Sequence, residues 1–476
     1  MSQIQTIFKN MSWLLISQII ASIFGFIWTI LIARYLGVEN NGILGFAISI
    51  TAILGIIDDM GISTHIVRHI ATDYSSAPKY LGNALPLKTI FAGLKTIITL
   101  VILFLLGSDE LKITVTILFT IEMIFKSFNN CLYGSFQAFE KGKYQGIGNT
   151  IMNSTTLLFI LISIYTNIGI IGVSVSYLLA NLITFIYVYY ILNKHITKPK
   201  FELDYEFCKR ITLFSLPFAV TGILYTIYYS IDVIMLANIV GNYATGIYNA
   251  TYKLISVLTL FYSVYTAVIF PIMSKFFKND DSMLLISFEK SIKYLMLIII
   301  PIATGTIFYS LDIIQLIYGN QYDQAASVLS ILIWTVCLLF ISGACNTLLN
   351  ASHKEKTVTK IYAIAAIFNI ILNFFMIPYF SYDGAAITTV LSDVLIVIIQ
   401  FYVIYRLGHR PNRKLYFDLT KIIIGSAVLG IALYLLNLNM WVAIPVGIII
   451  YLAVVYLLRL FDNDDKYVIK EILGRN

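Results

Sequence analysis

The chain has 476 residues, of which 59% are hydrophobic and only 12% are charged, and its formal net charge is +7. Soluble domains carry about a quarter of charged residues, so this composition excludes an ordinary soluble protein and indicates an integral membrane protein. Because the basic residues follow the predicted membrane topology, the positive charge does not indicate nucleic-acid binding. The four cysteines have neither metal-ligand spacing nor the pattern of a disulfide framework.

Apolar runs of helix length follow one another along the chain. About twenty helical residues cross the hydrocarbon of a bilayer, and continuous rather than alternating runs exclude a membrane barrel. The sequence therefore predicts an all-α integral membrane protein with about 14 transmembrane helices. The predicted spans are residues 11–33, 43–57, 83–106, 112–128, 145–165, 170–192, 211–237, 244–270, 291–309, 325–349, 361–378, 384–405, 418–436 and 441–458.

One short pattern occurs twice. Ala33-Arg34-Tyr35-Leu36-Gly37 with Gly42-Ile43 returns as Ala237-Asn238-Ile239-Val240-Gly241 with Gly246-Ile247. Each copy separates two apolar runs, so its glycines predict a tight turn between membrane helices, where a positive φ costs glycine little. Two homologous halves are typical of secondary transporters that rock around a central site.

The basic residues predict an orientation. Most of the 32 Lys and Arg residues fall on one side of the predicted spans, which places both termini in the cytoplasm. An even number of helices per half predicts a parallel pseudo-two-fold axis along the membrane normal. We assign 1–192 to an N-lobe of helices 1 to 6, 193–210 to a cytoplasmic linker and 211–406 to a C-lobe of helices 7 to 12. Residues 407–476 form a C-terminal helix pair and a cytoplasmic tail.

Several motifs together resemble one known family. They are Ala33-Arg34-Tyr35-Leu36-Gly37 with Gly42, Asp59-x-Gly61 with Arg68, Asp232, Gly246-Ile247-Tyr248 with Lys253-Leu254, and Leu316-Ile317-Tyr318-Gly319 with Tyr322. In this order they resemble the polysaccharide-transporter branch of the MOP flippase superfamily, the Wzx-like flippases of O-antigen and capsule units. The resemblance covers essentially the whole chain.

The resemblance implies a MATE/MOP-like fold and a transporter rather than an enzyme. Its expected substrate is a polyprenyl-diphosphate-linked oligosaccharide, carried from the inner to the outer leaflet of the plasma membrane by alternating access. The implied partners are this lipid-linked glycan, membrane lipids and polysaccharide assembly enzymes, with a monomer as the working unit. No cofactor is implied beyond coupling to Na⁺ or H⁺.

Ionisable residues inside spans point to a polar cavity, because each is costly if it faces lipid. On helix 7 the spacing of Tyr225, Tyr228 and Asp232 places them on one face. Asp232 could bind sugar hydroxyls, carry a coupling proton or Na⁺, or form an ion pair with Lys253 on helix 8. Tyr252 lies beside Lys253 on the predicted cavity wall, whereas Tyr248, near the turn, fits an outer aromatic belt.

The first half supplies further candidates. Lys88 and Lys95 are seven residues apart on helix 3, so they share a face. Lys88 could extend to the inner interface, whereas Lys95 lies too deep and is the preferred cation for a diphosphate. Glu122 and Lys126 are four residues apart on helix 4, as in either a structural ion pair or a site.

Polar residues at the helix ends leave alternatives open. Gln18 belongs to a polar face of helix 1 that we expect to line the cavity. Arg34 could receive a phosphate on the outer side or cap the carbonyl groups at the end of its helix. A polar cluster lies at the inner mouth, where we expect a solvated structural hairpin, with a gating salt bridge as the alternative: Asp58, Asp59, His65, Arg68 and His69.

Two other classes of protein fit the sequence less well. A MATE-type antiporter of small amphiphilic molecules would share the fold and use Asp232 for cation coupling, but the cavity lysines favour anionic substrates. A membrane polysaccharide polymerase or glycosyltransferase is disfavoured, because the predicted outer segments are short and carry no catalytic constellation.

Overall fold

The computed structural model describes residues 3–279 and 281–461. Within those ranges the chain is helical and contains no strand, which confirms the all-α fold. The helices are α1 Gln3–Asp59, α2 Ile62–Thr72, α3 Ala77–Leu105, α4 Glu110–Ala138, α5 Gly142–Tyr165, α6 Ile170–His195, α7 Tyr205–Ile239, α8 Asn242–Ser256, α9 Thr259–Asn279, α10 Asp281–Phe308, α11 Ser310–Tyr318, α12 Ala325–Ala351, α13 Glu355–Arg406, α14 Arg413–Leu436 and α15 Met440–Leu457.

Two of these helices are pairs joined at one non-helical residue. The break in α1 is Gly37, with φ 73° and ψ 177°, and the break in α13 is Ser381, with φ 52° and ψ −131°. Both breaks fall between predicted apolar runs. The corresponding glycine of the second repeat, Gly241, has φ 121°. The predicted positive φ at the repeated turn is therefore confirmed in both copies.

Ten helical segments of the described chain are long and apolar enough to cross a membrane. Two of them, Ser17–Thr72 and Glu355–Arg406, contain the breaks described above. The chain is therefore a multi-pass membrane protein. The expected number of fourteen spans stays a prediction.

Helix 8 of the sequence analysis is not one helix. The expected run over 244–270 is divided into α8, which ends at Ser256, and α9, which begins at Thr259. The Ser256 hydroxyl donates to the Lys253 carbonyl at 2.6 Å, and Leu258 N donates to the Ile255 carbonyl in a tighter turn. A serine hydroxyl that competes for backbone carbonyls weakens a helix locally.

Contacts between residues group the chain into two compact units. The first is Met1–Ala250 with Asn373–Tyr382, and the second is Thr251–Leu372 with Asp383–Asn476. Asp232 therefore belongs to the first unit and Lys253 to the second. The predicted lobes 1–192 and 211–406 stay a prediction.

The two copies of the repeated turn pack against each other within the first unit. A Cβ added at Gly42 would overlap the Asn242 carbonyl, and one added at Gly246 would overlap the Val38 carbonyl. These contacts are reciprocal, because Val38 and Asn242 occupy the same position in the two copies. The Asn41 side chain also donates to the Gly246 carbonyl at 3.5 Å. Glycine at both positions permits this close backbone approach.

The linker over residues 193–210 is attached to the start of α3. Lys200 N donates to the Pro78 carbonyl at 3.1 Å, and a Cβ at Gly82 would overlap the Lys200 carbonyl. Asp204 begins α7, where its carboxylate accepts the Phe207 N–H at 3.1 Å. This hydrogen bond holds the pKa of Asp204 below its ordinary value.

Candidate functional site

Lys95 forms an ion pair in the first unit. Its amine donates to Asp58, at the end of α1, and to the Thr120 carbonyl on α4 at 3.1 Å. The side chains of Lys95 and Asp58 are 0% and 1% exposed. A buried lysine and carboxylate tolerate such a site because each offsets the other's charge. Lys95 was the predicted diphosphate-binding cation. In this conformation its amine is instead bound to a carboxylate and a carbonyl of the protein.

A second ion pair joins the next residue of α1, Asp59, to Lys88 of α3. The Lys88 amine is 2.6 Å from the Asp59 carboxylate, which also accepts the Ser63 hydroxyl. Lys88 is buried, whereas the Asp59 side chain is 32% exposed. Lys88 is therefore paired with a partly exposed acid, and its extension to the inner interface stays a prediction.

The expectation of a solvated hairpin at residues 58–69 is wrong for Asp58. Asp58 is buried because α3 places two lysines, seven residues apart, against two adjacent carboxylates. The sequence does contain a signal for these pairs. Asp58 and Asp59 are adjacent near the end of one apolar run, and Lys88 and Lys95 share a face of a later one. Their pairing was not predicted.

Glu122 has a different partner from the one expected at helical spacing. Its carboxylate is buried and accepts the Asn181 amide of α6 at 2.7 Å. Lys126 is exposed, and no ion pair within 4 Å joins it to a carboxylate in the described part of the chain. The i,i+4 spacing therefore does not give an ion pair within 4 Å, and the carboxylate accepts a hydrogen bond from Asn181 of another helix.

Asp232 lies in a buried polar cluster of the first unit. The side chain of Asn373 donates to one carboxylate oxygen at 2.6 Å, and the Tyr248 hydroxyl donates to the other at 2.7 Å. Asp232 and Tyr248 are 3% and 1% exposed. The aromatic-belt interpretation of Tyr248 is wrong, because its hydroxyl is directed at a buried acid rather than at an interface. Asn373 was not among the site residues predicted from the sequence.

The aromatic residues of helix 7 differ in exposure. Tyr225 is half-exposed and its ring lies 4.5 Å from that of Tyr229, whereas Tyr228 is buried. Tyr252 and Lys253 are partly buried in the second unit. The cavity roles of these residues stay predictions, as does the ion pair between Asp232 and Lys253.

The two polar candidates on α1 are exposed. Gln18 and Arg34 both have exposed side chains. Exposure agrees with either interpretation of Arg34, phosphate reception or capping of the helix end, so both stay open.

A polar cavity of about 550 Å³ opens in the first unit. It is bounded by the end of α1 and by α2, α4 and α5. Eight of its lining side chains are polar: Asp59, Ser63, Thr64, Arg68, Asn130, Tyr133, Gln137 and Gln145. Asp59 and Arg68 were candidates from the sequence, and the other six were not.

Solved structures share this fold. The inward closed conformation of the lipid II flippase MurJ matches with a TM-score of 0.79 and 17% identity, over 97% of this chain and 99% of that chain. The inward-facing conformation of a multidrug resistance MATE family transporter of the MOP superfamily matches with a TM-score of 0.68 and 16% identity, over 82% of this chain and 95% of that one. These matches confirm the MATE/MOP-like fold.

Curated relatives are similar over long segments. The chain is 24% identical to the capsular polysaccharide biosynthesis protein CapF of Staphylococcus aureus, over 84% of this chain and 99% of the relative. It is 28% identical to the "Probable low-salt glycan biosynthesis flippase Agl15" of Haloferax volcanii, over 31% of each chain.

Two family models match the chain. The model of the lipid II flippase MurJ matches residues 216–452. The model described as polysaccharide biosynthesis protein matches residues 7–277, which is more than half of the chain. The predicted family resemblance is confirmed, and the chain belongs to the polysaccharide biosynthesis protein family.

Proposed function

We propose that this protein is a flippase that moves polyprenyl-diphosphate-linked oligosaccharide units from the inner to the outer leaflet. Membership of the polysaccharide biosynthesis protein family carries this proposal. A full-length fold match to a lipid II flippase supports it. The family points to transport rather than to an enzymatic reaction, with the lipid-linked glycan and membrane lipids as binding partners.

The proposed mechanism is alternating access. A sugar–diphosphate headgroup needs polar surroundings to cross the bilayer, while a polyprenyl tail can stay in lipid. Buried polar groups inside apolar helices, such as the cluster around Asp232, would supply part of that surrounding. We place the protein in the plasma membrane with both termini cytoplasmic, working as a monomer beside polysaccharide assembly enzymes.

Asp232 is the proposed coupling residue. A proton or Na⁺ that binds its carboxylate would weaken the hydrogen bonds from Tyr248 and Asn373, on α8 and α13, because both bonds are strongest to an ionised acceptor. Occupation of this one residue would then change how three helices are held together. This gives a gradient a physical means to bias the transport cycle.

Flipping in proteoliposomes tests the proposal. Wild-type protein is reconstituted with a polyprenyl-diphosphate-linked oligosaccharide, and outer-leaflet glycan is measured with and without a Na⁺ or proton gradient. Flipping by the wild type supports the proposed function. A gradient effect that is lost in Asp232→Asn and kept in Asp312→Asn, an exposed acid on α11, supports the coupling role.

Two results would contradict these proposals. Cation-driven export of small amphiphiles, with no movement of the lipid-linked glycan, would favour a MATE-type antiporter instead. Flipping with the same gradient dependence in wild type and Asp232→Asn would remove the coupling role and leave the flippase.

A further inference from the structure

The polar cavity beside α2 contains a cation that has no acidic partner. Arg68 lines the cavity and is exposed to it. Among the described residues, no carboxylate lies within 4 Å of its guanidinium. A guanidinium presents five donors in a planar fork that matches the geometry of a carboxylate or phosphate. The cavity therefore contains an unused binding group for an oxyanion.

The other charges of the cavity do not cancel this cation. Asp59 is the acid that lines the same space, and its carboxylate is already bound by Lys88 at 2.6 Å and by Ser63. The Asp59–Lys88 pair is neutral as a unit, so Arg68 leaves the cavity with one net positive charge. An anion that enters would meet a paired acid rather than a free one.

Amides line the remaining wall. Gln137 on α4 donates to Gln145 on α5 at 3.1 Å, and Asn130 lies two helical turns before Gln137. Amide side chains present donors and acceptors together, which is what vicinal sugar hydroxyls require. The volume of about 550 Å³ falls in the range of cavities that hold small-molecule ligands.

A buried tyrosine forms part of the cavity wall. Tyr133 lines the cavity but is only 6% exposed. Its hydroxyl lies over Gly148, where an added Cβ would overlap it. A substitution at Gly148 therefore changes the shape of this wall without removing a charge.

We propose that this cavity binds an oxyanion attached to a hydroxyl-rich sugar, with Arg68 on the oxyanion and Gln137 and Gln145 on the sugar. This assignment rests on the proposed flippase function, because it places part of the glycan headgroup in the first unit. Two sources share the chemistry. The oxyanion is either the diphosphate that joins the carrier to the first sugar or the carboxylate of an acidic sugar within the glycan.

Binding to the purified full-length protein in nanodiscs tests the assignment. One probe is a polyprenyl diphosphate carrying a neutral disaccharide, and the other is a free oligosaccharide that contains glucuronate but no phosphate. In Arg68→Ala we expect binding of one probe to weaken roughly ten- to hundredfold, as for the loss of hydrogen bonds to a charged group. Arg68→Lys restores part of the affinity at most, because an ammonium cannot bind in a bidentate manner.

Lys143→Ala is the matched control. Lys143 is an exposed cation on α5, two residues before Gln145, and it does not line the cavity. Its removal subtracts the same charge and should change affinity by less than about twofold, as expected for a screened surface charge. An equal loss in Lys143→Ala and Arg68→Ala would overturn the site, because it would mean general attraction of anions.

Two further variants keep the test valid if Arg68→Ala is poorly folded. Gln145→Ala removes an amide from the wall, and Gly148→Ala displaces the Tyr133 hydroxyl. Weaker binding of the same probe in either variant, with an unchanged thermal midpoint, supports the site. Wild-type affinity for both probes in all three cavity variants overturns it.

The same variants in the flipping assay separate the two proposals. A wild type that flips the glycan while Arg68→Ala binds and flips equally well overturns the cavity assignment and leaves the flippase. A wild type that moves no lipid-linked glycan, yet binds an oxyanion probe through Arg68, overturns the flippase and leaves the site.

Discussion

Two groups of acids in the first unit differ in the partners seen around them. Asp58 and Asp59 are bound by the amines of Lys95 and Lys88, so each acid is matched by a cation. Two hydrogen bonds to Asp232 come from a phenol and an amide, those of Tyr248 and Asn373, which are neutral. The acids near α3 therefore accept hydrogen bonds from charged amines, whereas Asp232 accepts them from neutral groups.

This difference in partners decides how a loss of function in variants of these residues is interpreted. Removing one member of a buried ion pair leaves the other charge uncompensated, so a defect in Lys95 variants reports stability first. Neutralising Asp232 leaves Tyr248 and Asn373 able to form new hydrogen bonds, so a transport defect there without a loss of stability would support the proposed coupling role. The two copies of the repeated turn, by contrast, make equivalent contacts with each other.

The largest expected effect is on the ion pair of Lys95. Lys95→Ala leaves the Asp58 carboxylate buried without its cation and should lower the free energy of unfolding by about 3–5 kcal/mol. Thermal unfolding in nanodiscs measures the change. The double variant Asp58→Asn/Lys95→Met removes both charges and should recover much of the loss. A double variant as unstable as the single one would contradict charge pairing as the cause.

The next largest effect is expected at the reciprocal contact between the two repeated turns. Gly42→Ala and Gly246→Ala each insert a Cβ into the carbonyl of the opposite turn and should destabilise by similar amounts, about 1–3 kcal/mol. Gly222→Ala on α7 is the matched control, since nothing lies within 4 Å of its added Cβ. That control should be neutral or stabilising, because alanine favours a helix. Unequal costs at Gly42 and Gly246 would break the symmetry of the contact.

A smaller change in stability, with a clear change in transport, is expected at Asp232. In Asp232→Asn the new amide can donate to the Tyr248 hydroxyl while its oxygen still accepts from Asn373, so the cost is about 0.5–1.5 kcal/mol. The dependence of flipping on Na⁺ or protons should be lost. Asp58→Asn is the comparison, and it should cost more stability because Lys95 is left without its acid. Equal unfolding in both variants would contradict the distinction between these acids.

The smallest effect concerns the linker between the predicted halves. The carboxylate of Asp204 caps α7 and its pKa is lowered, so its stabilising effect is present above the unfolded pKa of about 3.9 and is lost as pH falls through the folded value. Asp204→Ala should reduce the thermal midpoint slightly at neutral pH. The difference from wild type should shrink in acid, and a constant difference would exclude the carboxylate as the cause.

Local backbone requirements made part of the fold predictable. The positive φ at Gly37 and Gly241 is a property of a few residues, so the repeated glycines were sufficient to predict both turns. The break after Ser256 was not predictable in this way, because neither Val257 nor Leu258 is a glycine or proline. A hydroxyl that bonds to the backbone accompanies the break, and a hydropathy pattern does not reveal such a bond.

The site was predictable as a set of residues but not as a set of pairs. Ionisable groups within spans identified Lys88, Lys95, Glu122 and Asp232, since such groups are costly in lipid. Helix spacing could not predict their partners, because those partners lie on other helices. Asn373, for example, is 141 positions from Asp232 in the chain. Packing between helices decides such pairs, and the spacing of residues along one sequence does not reveal which helices pack together.

The reciprocal contact between the repeated turns constrains how either turn can change. Gly42 meets Asn242 while Gly246 meets Val38, so one surface patch faces its own duplicate. This is the arrangement that two identical subunits form around a two-fold axis. The contact therefore has, inside one polypeptide, the self-complementary geometry of a homodimer interface. Each copy is the packing partner of the other, so a change in one turn alters the surface that the second must fit.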